Sequence, residues 1–332
     1  MSAETPDRLS REEEQAARST LRYVVRFGLV LVVITGVAFA IVKQVGDLPK
    51  IDWHFRPAWL VLSVVCFALL QFTHAGIWRL IVRRLHGHVE PARSRAIWST
   101  SNMGKYVPTS LLAWVMRVTM ADRVGVPRRV TAASLVYEVA LLVTACTVVG
   151  AYGVIQLPDL EGEPVRWLVL AVPLAAFVAL HPRVFRPVAD RLLERIGREH
   201  LPETLSLSQI LLICLCFSAS LLIAGLGTYA FARALHPVAD GDIPTVVAAF
   251  AIGLALSFIG FVLPAGLGAR EAGFTAALAP ALPTGVALAV AVGIRLLQMA
   301  IEVVYALVTP VLASRRSESA PAPPPPARRP AT

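Results

Sequence analysis

Residues 96–121 (AIWSTSNMGKYVPTSLLAWVMRVTMA) are long and apolar enough to enter a bilayer, yet Lys105, Pro108 and Arg117 lie inside the stretch. Arg93 and Arg95 precede it, and Arg123, Arg128 and Arg129 follow it. Basic residues collect on the cytoplasmic side of membrane segments, so a segment with arginines at both ends should enter and leave from one face. The pattern predicts a re-entrant hairpin that turns at Pro108. Irregular backbone at membrane depth persists only where protein buries it or where it lines a wet cavity. The chain is therefore expected to build a polar pocket inside the membrane, suited to a polar solute or a lipid headgroup.

Composition agrees with that reading. Of the 332 residues 56% are hydrophobic and only 16% charged, against an apolar share of roughly 45–50% in soluble domains. The expected class is an all-α polytopic membrane protein. The charged stretches, at 1–20, around Arg183 to His200 and after residue 313, are each too short to bury a core, so no added catalytic domain is expected. The net charge of +9 sits in loops between apolar runs, where membrane electrostatics account for it. Nucleic acid is thus not an expected partner. Cys66, Cys146, Cys214 and Cys216 all lie in apolar runs and read as small core residues. Cys214 and Cys216 do not share a helix face. Neither a metal, a cofactor nor a catalytic residue is expected. The first apolar run follows a long polar N-terminus without a clear small-residue cleavage site, so no cleavable signal peptide is expected.

Charge asymmetry orients the spans. Arg22 and Arg26 border a first span near 27–42, which sets the N-terminus inside. Residues 58–78 return the chain to the cytoplasm, where Arg79, Arg83, Arg84, Arg93 and Arg95 are the strongest positive-inside signal. After the hairpin, 130–155 crosses outward to the acidic LPDLEGEP loop, and 165–180 comes back. VADRLLERIGR then reads either as an amphipathic helix on the cytoplasmic surface or as a solvated linker helix. Residues 208–232 run outward to Asp240 and Asp242, and 284–313 run inward to Arg315 and Arg316. Residues 243–283 must then begin and end outside, which makes them a second hairpin bent near Pro264. Six full spans plus two re-entrant hairpins result, although hydropathy alone counts up to eight spans. The expected division is a cytoplasmic polar segment 1–20, a membrane domain 21–313 and a disordered, proline-rich cytoplasmic tail 314–332, all at the cell (inner) membrane.

The hairpins are related in sequence. Gly104, Pro108, Pro127 and Ala133 find Gly260, Pro264, Pro283 and Ala289 at one constant offset. The flanking helices correspond with opposite direction, which is the signature of an inverted repeat whose broken segments meet near the midplane at a binding site.

Charged residues inside apolar spans are expensive and by default functional. Glu138, Arg295 and Glu302 lie well within their spans, and Arg295, Gln298 and Glu302 share a helix face. With Lys105, Arg117, Arg270 and Glu271 they make a pocket offering cations to a phosphate and carboxylates to an amine. The alternative reading is structural, with Arg117 and Arg270 snorkelling to an interface and Glu138 paired to Arg295.

Asn102, Lys105, Tyr106, Pro108, Trp114 and Arg117, then Gly125 and Glu138, and later the run from Pro264 through Gly266, Gly268 and Arg270 to Glu271 resemble the transmembrane, flippase part of lysylphosphatidylglycerol synthetases. The resemblance extends from about residue 20 to 313. Ala265 and Thr109 stand where that family more often has glycine, which points to a diverged branch. The resemblance implies a helical membrane fold with two re-entrant elements, hairpin turns at Pro108, Pro264, Gly266 and Gly268, and translocation of aminoacylated phosphatidylglycerol between leaflets. It also implies that a stand-alone chain without the aminoacyl-transferase domain leaves lipid synthesis to a separate enzyme.

The expected function is flipping or scrambling of a polar membrane phospholipid or an isoprenoid-linked lipid. The headgroup would lie near Lys105, Arg117, Arg270 and Arg295, and movement would be either downhill or coupled to an ion, with Glu138, Glu271 or Glu302 as candidate proton carriers in the coupled case. There is no GxxxxGK[ST] motif in the sequence, so ATP is not the direct drive. Two other classes compete. A polyprenyl-phosphate-dependent glycosyltransferase would use Asp240-Gly241-Asp242, although two acids in a short turn are more often a solvated connection. A non-catalytic accessory subunit would have no need of intramembrane charge.

Overall fold

A computed structural model describes residues 55–106, 111–155, 164, 167, 171–195, 204–260 and 269–318. The expected span at 27–42 and the hairpin-turn residues Pro108, Pro264, Gly266 and Gly268 lie outside the described residues. The described residues are helical throughout, apart from short connections.

Helix α1 (Pro57–Arg84) opens with proline in its first turn and closes with Arg83 and Arg84, an arrangement that suits the free N–H groups at one end and the carbonyls at the other. Helix α2 (Pro91–Asn102) also starts on proline and runs into a 3-10 turn, Met103–Tyr106. Helix α3 (Leu111–Asp122) follows the break. It ends at Gly125, whose φ of 87° lets Val126 N–H reach back to the Ala121 carbonyl at 3.1 Å, a glycine-terminated helix end. Helix α4 is Arg128–Ile155. Two shorter helices, α5 (Ala171–Leu180) and α6 (Pro182–Arg195), lead to α7 (Leu207–Leu235). Helix α7 begins with a capping box between Ser206 and Gln209. A 3-10 turn at Asp240–Asp242 opens onto α8 (Ile243–Gly260), then come α9 (Ala269–Leu278) and α10 (Thr284–Glu318).

Among the described residues five helices, α1, α4, α7, α8 and α10, are long and apolar enough to cross a membrane. Their outer faces carry Val61, Val65, Leu69 and Phe72 on α1, Leu211, Leu215 and Leu222 on α7, and Val304, Val308 and Val311 on α10, all exposed. Apolar surface on that scale belongs against lipid. Of the expected 165–180 span, Ala171–Leu180 is helical, and most of 165–170 lies outside the described residues. One boundary differs from the sequence expectation. Helix α10 continues through Glu318, so residues 314–318, read above as the start of the tail, are helical. No proline interrupts the chain between Pro310 and Pro321, and nothing local stops the helix earlier.

Packing brings the parts together through small residues. Helices α1 and α7 lie side by side, and a Cβ on Gly227 would sit 2.8 Å from Cys66 Cβ. Helix α4 packs on α8, where Gly150 and Gly153 meet Ile252 and Ala248, and α10 packs on α2. Within the α2–α3 and α8–α9 legs, the two helices of each pair pack on one another. Beneath them Trp78, Phe67, Phe217, Phe250 and Tyr137 are fully buried.

Gly104 holds the first pair of legs together. A Cβ there would lie 2.6 Å from the backbone nitrogen of Ala113, and backbone cannot yield as a flexible side chain can. Gly104→Ala is expected to destabilise the protein by about 1–3 kcal/mol, as overpacking does. Thermal unfolding in detergent measures it, and an unchanged midpoint would contradict this close approach.

Candidate functional site

Three ion pairs gather where the α2–α3 and α8–α9 legs meet α4 and α10. Glu302 of α10 is the centre of the first. Its two oxygens take Lys105 Nζ at 2.7 Å and the Tyr106 hydroxyl at 2.6 Å, and Gln71 Nε2 of α1 donates from 3.4 Å. The side chain of Glu302 is 9% exposed and that of Lys105 39%, so the carboxylate is deep while the ammonium remains within reach of a ligand.

The second pair joins α3 to α4. Arg117 Nη1 donates to Glu138 Oε2 at 2.5 Å, and its Nε donates to Ser101 Oγ at 3.0 Å. The other Glu138 oxygen accepts Trp98 Nε1 at 3.0 Å. The Arg117 guanidinium also lies 5.6 Å from the ring centroids of both Trp78 and Trp98, within cation–π range. Arg117 is buried and the Glu138 side chain is only 12% exposed. Arg117 therefore does not snorkel outward.

The third pair joins α9 to α10, where Arg295 donates to Glu271 Oε1. The second oxygen of Glu271 is buried without a hydrogen-bond partner among the described residues. Beside it Arg270 Nη2 donates to Gln298 Oε1 at 2.6 Å. Glu138 and Arg295, considered above as a structural pair, each have a different partner. Asn102 is half-buried at the end of α2 and no hydrogen bond ties it to the cluster among the described residues.

Among the described residues of this cluster stand four cations, Lys105, Arg117, Arg270 and Arg295, and three carboxylates, Glu138, Glu271 and Glu302. Each carboxylate holds one cation, and Arg270 is bonded to a neutral amide. A cluster with one more cation than it has carboxylates favours an anionic group.

Sequence reading missed Gln71, Trp98 and Ser101, and also His74, which lies 3.0 Å from Ser220 and edge-on to Trp98 and Phe217. Gln71 and His74 stand out as polar residues in the long apolar run of α1, so a signal was present. Trp98 and Ser101 had none, because their role comes from facing Glu138 and Arg117. The Asp240-Gly241-Asp242 turn proves to be engaged. Asp240 Oδ1 accepts the Tyr229 hydroxyl at 2.8 Å and Arg233 Nη1 at 2.5 Å, with Arg233 lying 4.9 Å from the Trp59 ring centroid. The four cysteines are free thiols.

Among the described residues, five apolar helices around ion pairs with largely buried carboxylates define a multi-pass helical membrane protein with a charged interior. Residues 25–305 match the family described as lysylphosphatidylglycerol synthase TM region. The chain belongs to that family, and its general function is accordingly one connected with membrane lipid. Comparison with curated proteins gives no match.

Proposed function

We propose that this protein moves a polar-headed phospholipid between membrane leaflets, with the headgroup held at the ion-paired seam between two re-entrant hairpins. The observation that carries this reading is Arg270, a guanidinium bonded to the neutral Gln298 within a cluster of otherwise matched charges. A phosphodiester would supply the missing anion, and the exposed Lys105 could exchange Glu302 for the same phosphate. Acyl chains would stay in lipid, against the apolar outer faces.

The same reading takes the two halves as an inverted repeat. In its support, α4 and α10 begin at Arg128 and Thr284, the same separation as Gly104 and Gly260. The packing is reciprocal as well, with α4 against α8 and α10 against α2. Corresponding hairpin legs are each tied to the helix that follows by one ion pair, but with the charges exchanged. Arg117 on α3 faces Glu138 on α4, whereas Glu271 on α9 faces Arg295 on α10. Paired broken elements of this kind, rocking about a central site, are how many secondary transporters alternate access.

Leaflet exchange of labelled lipids in liposomes tests the proposal, with phosphatidylglycerol, its lysyl ester and a polyprenyl phosphate compared. Arg270→Ala should lower exchange of the accepted lipid by about tenfold or more, the effect of losing one charge-assisted contact, and should leave membrane insertion intact. Equal exchange by the variant and the natural chain would remove Arg270 from the site.

A further inference from the structure

Away from these ion pairs, the N-terminal end of α2 and the C-terminal ends of α3 and α10 enclose an open groove of about 340 Å³. That lies at the small end of ligand pockets, which run from roughly 300 to 1,000 Å³. Ile97, Met120, Pro310 and Ala313 form its apolar wall, and Arg93 and Arg123 stand on its lining from α2 and from just beyond α3. The hydroxyls of Ser99 and Thr309 share a 2.6 Å hydrogen bond across the seam between α2 and α10, and none of the residues lining the groove belongs to the Glu302 cluster, so the two are separate.

We infer that this groove binds one anionic phospholipid as a fixed partner, an acyl chain lying along the apolar wall and the phosphate between Arg93 and Arg123. Three observations carry the assignment. The wall is apolar, and Val311 and Leu312, between its Pro310 and Ala313 on α10, are exposed, as an acyl chain entering from lipid requires. Both polar groups at the groove that carry charge are arginines, whose planar donors match a phosphate. Arg93 is 3.6 Å from Glu90 with both side chains about half exposed, and a guanidinium with five donors can serve Glu90 and a phosphate together. Basic pockets between membrane helices commonly take anionic headgroups. The proline-rich tail is the competing occupant, since α10 ends beside the groove, but it carries Arg328 and Arg329 and would bring like charge to Arg93 and Arg123. The inference needs the membrane setting and does not rest on transport.

The test uses the full chain in phosphatidylcholine liposomes containing a trace of phosphatidylglycerol with a photoreactive acyl chain, followed by peptide mapping of the adducts. Adducts are expected on the peptides holding Ile97 and Met120. Arg93→Ala/Arg123→Ala should reduce them about tenfold, as loss of two basic residues at an anionic surface would, and Arg93→Lys/Arg123→Lys should keep most of them. Equal labelling by photoreactive phosphatidylcholine would overturn the site, and so would depletion as deep in the lysine variant as in the alanine one. Removal of residues 319–332 should change nothing, and a rise in labelling would make the tail the occupant instead. Glu302→Gln should keep the adducts even where it abolishes leaflet exchange. Loss of both together would overturn the separation of the two sites.

Discussion

Glu302→Gln is expected to lower lipid exchange by about tenfold to a hundredfold. The amide keeps the shape of the side chain but leaves the Lys105 ammonium, 2.7 Å away, facing a neutral group and gives Tyr106 a weaker acceptor. A hydrogen bond to a charged group contributes roughly 1.5–3 kcal/mol, and each 1.4 kcal/mol is tenfold, which sets that range. Lys105→Met should act on the same contact, so the double variant should be little worse than Glu302→Gln alone, as expected for coupled residues. Additive losses would mean that Lys105 and Glu302 work separately. Normal exchange by Glu302→Gln would remove the centre of the proposed site.

Arg117→Ala should produce the largest loss of stability. It strands the Glu138 carboxylate in a setting where its side chain is 12% exposed and where Trp98 is its other donor. Breaking one partner of a buried pair costs about 3–5 kcal/mol, because the remaining charge is left uncompensated. Removing both charges, in Arg117→Met/Glu138→Leu, should recover much of that loss, since replacing a buried pair with apolar side chains is often neutral. Thermal unfolding in detergent distinguishes these outcomes. A single variant as stable as the natural chain would show that water or lipid already screens the pair. The double variant is still expected to lose exchange, because two of the charges that would surround the headgroup are gone.

Much of the architecture was legible in the residues alone. The apolar runs predicted helices at 58–78, 130–155, 208–232 and 284–313, and α1, α4, α7 and α10 cover these ranges and extend somewhat beyond their ends. Charge, proline and glycine within residues 96–121 predicted a hairpin there; α2, a 3-10 turn and α3 occupy the segment, while its expected turn at Pro108 lies outside the described residues. These features are legible because burial in lipid and helix breaking are local properties, written into short windows of sequence. The end of α10 was less so, since helix termini depend on what flanks them.

The sequence by itself determined that this chain is a helical membrane protein and which charges it must keep within its apolar segments, because an intramembrane charge is costly wherever its partner lies. Only the tertiary structure decided who the partners are. Spacing on one helix put Arg295, Gln298 and Glu302 on a common face, yet they divide between two elements, Arg295 and Gln298 reaching Glu271 and Arg270 on α9 and Glu302 reaching Lys105 in the 3-10 turn. Glu138 took Arg117, only 21 residues before it, rather than the distant Arg295. Neither pairing follows from periodicity. A carboxylate pairs with whichever cation the packing of neighbouring helices brings within about 4 Å, and that packing is set by small residues such as Gly104, Gly150 and Gly227, whose contacts lie far away in the chain or across a break in it.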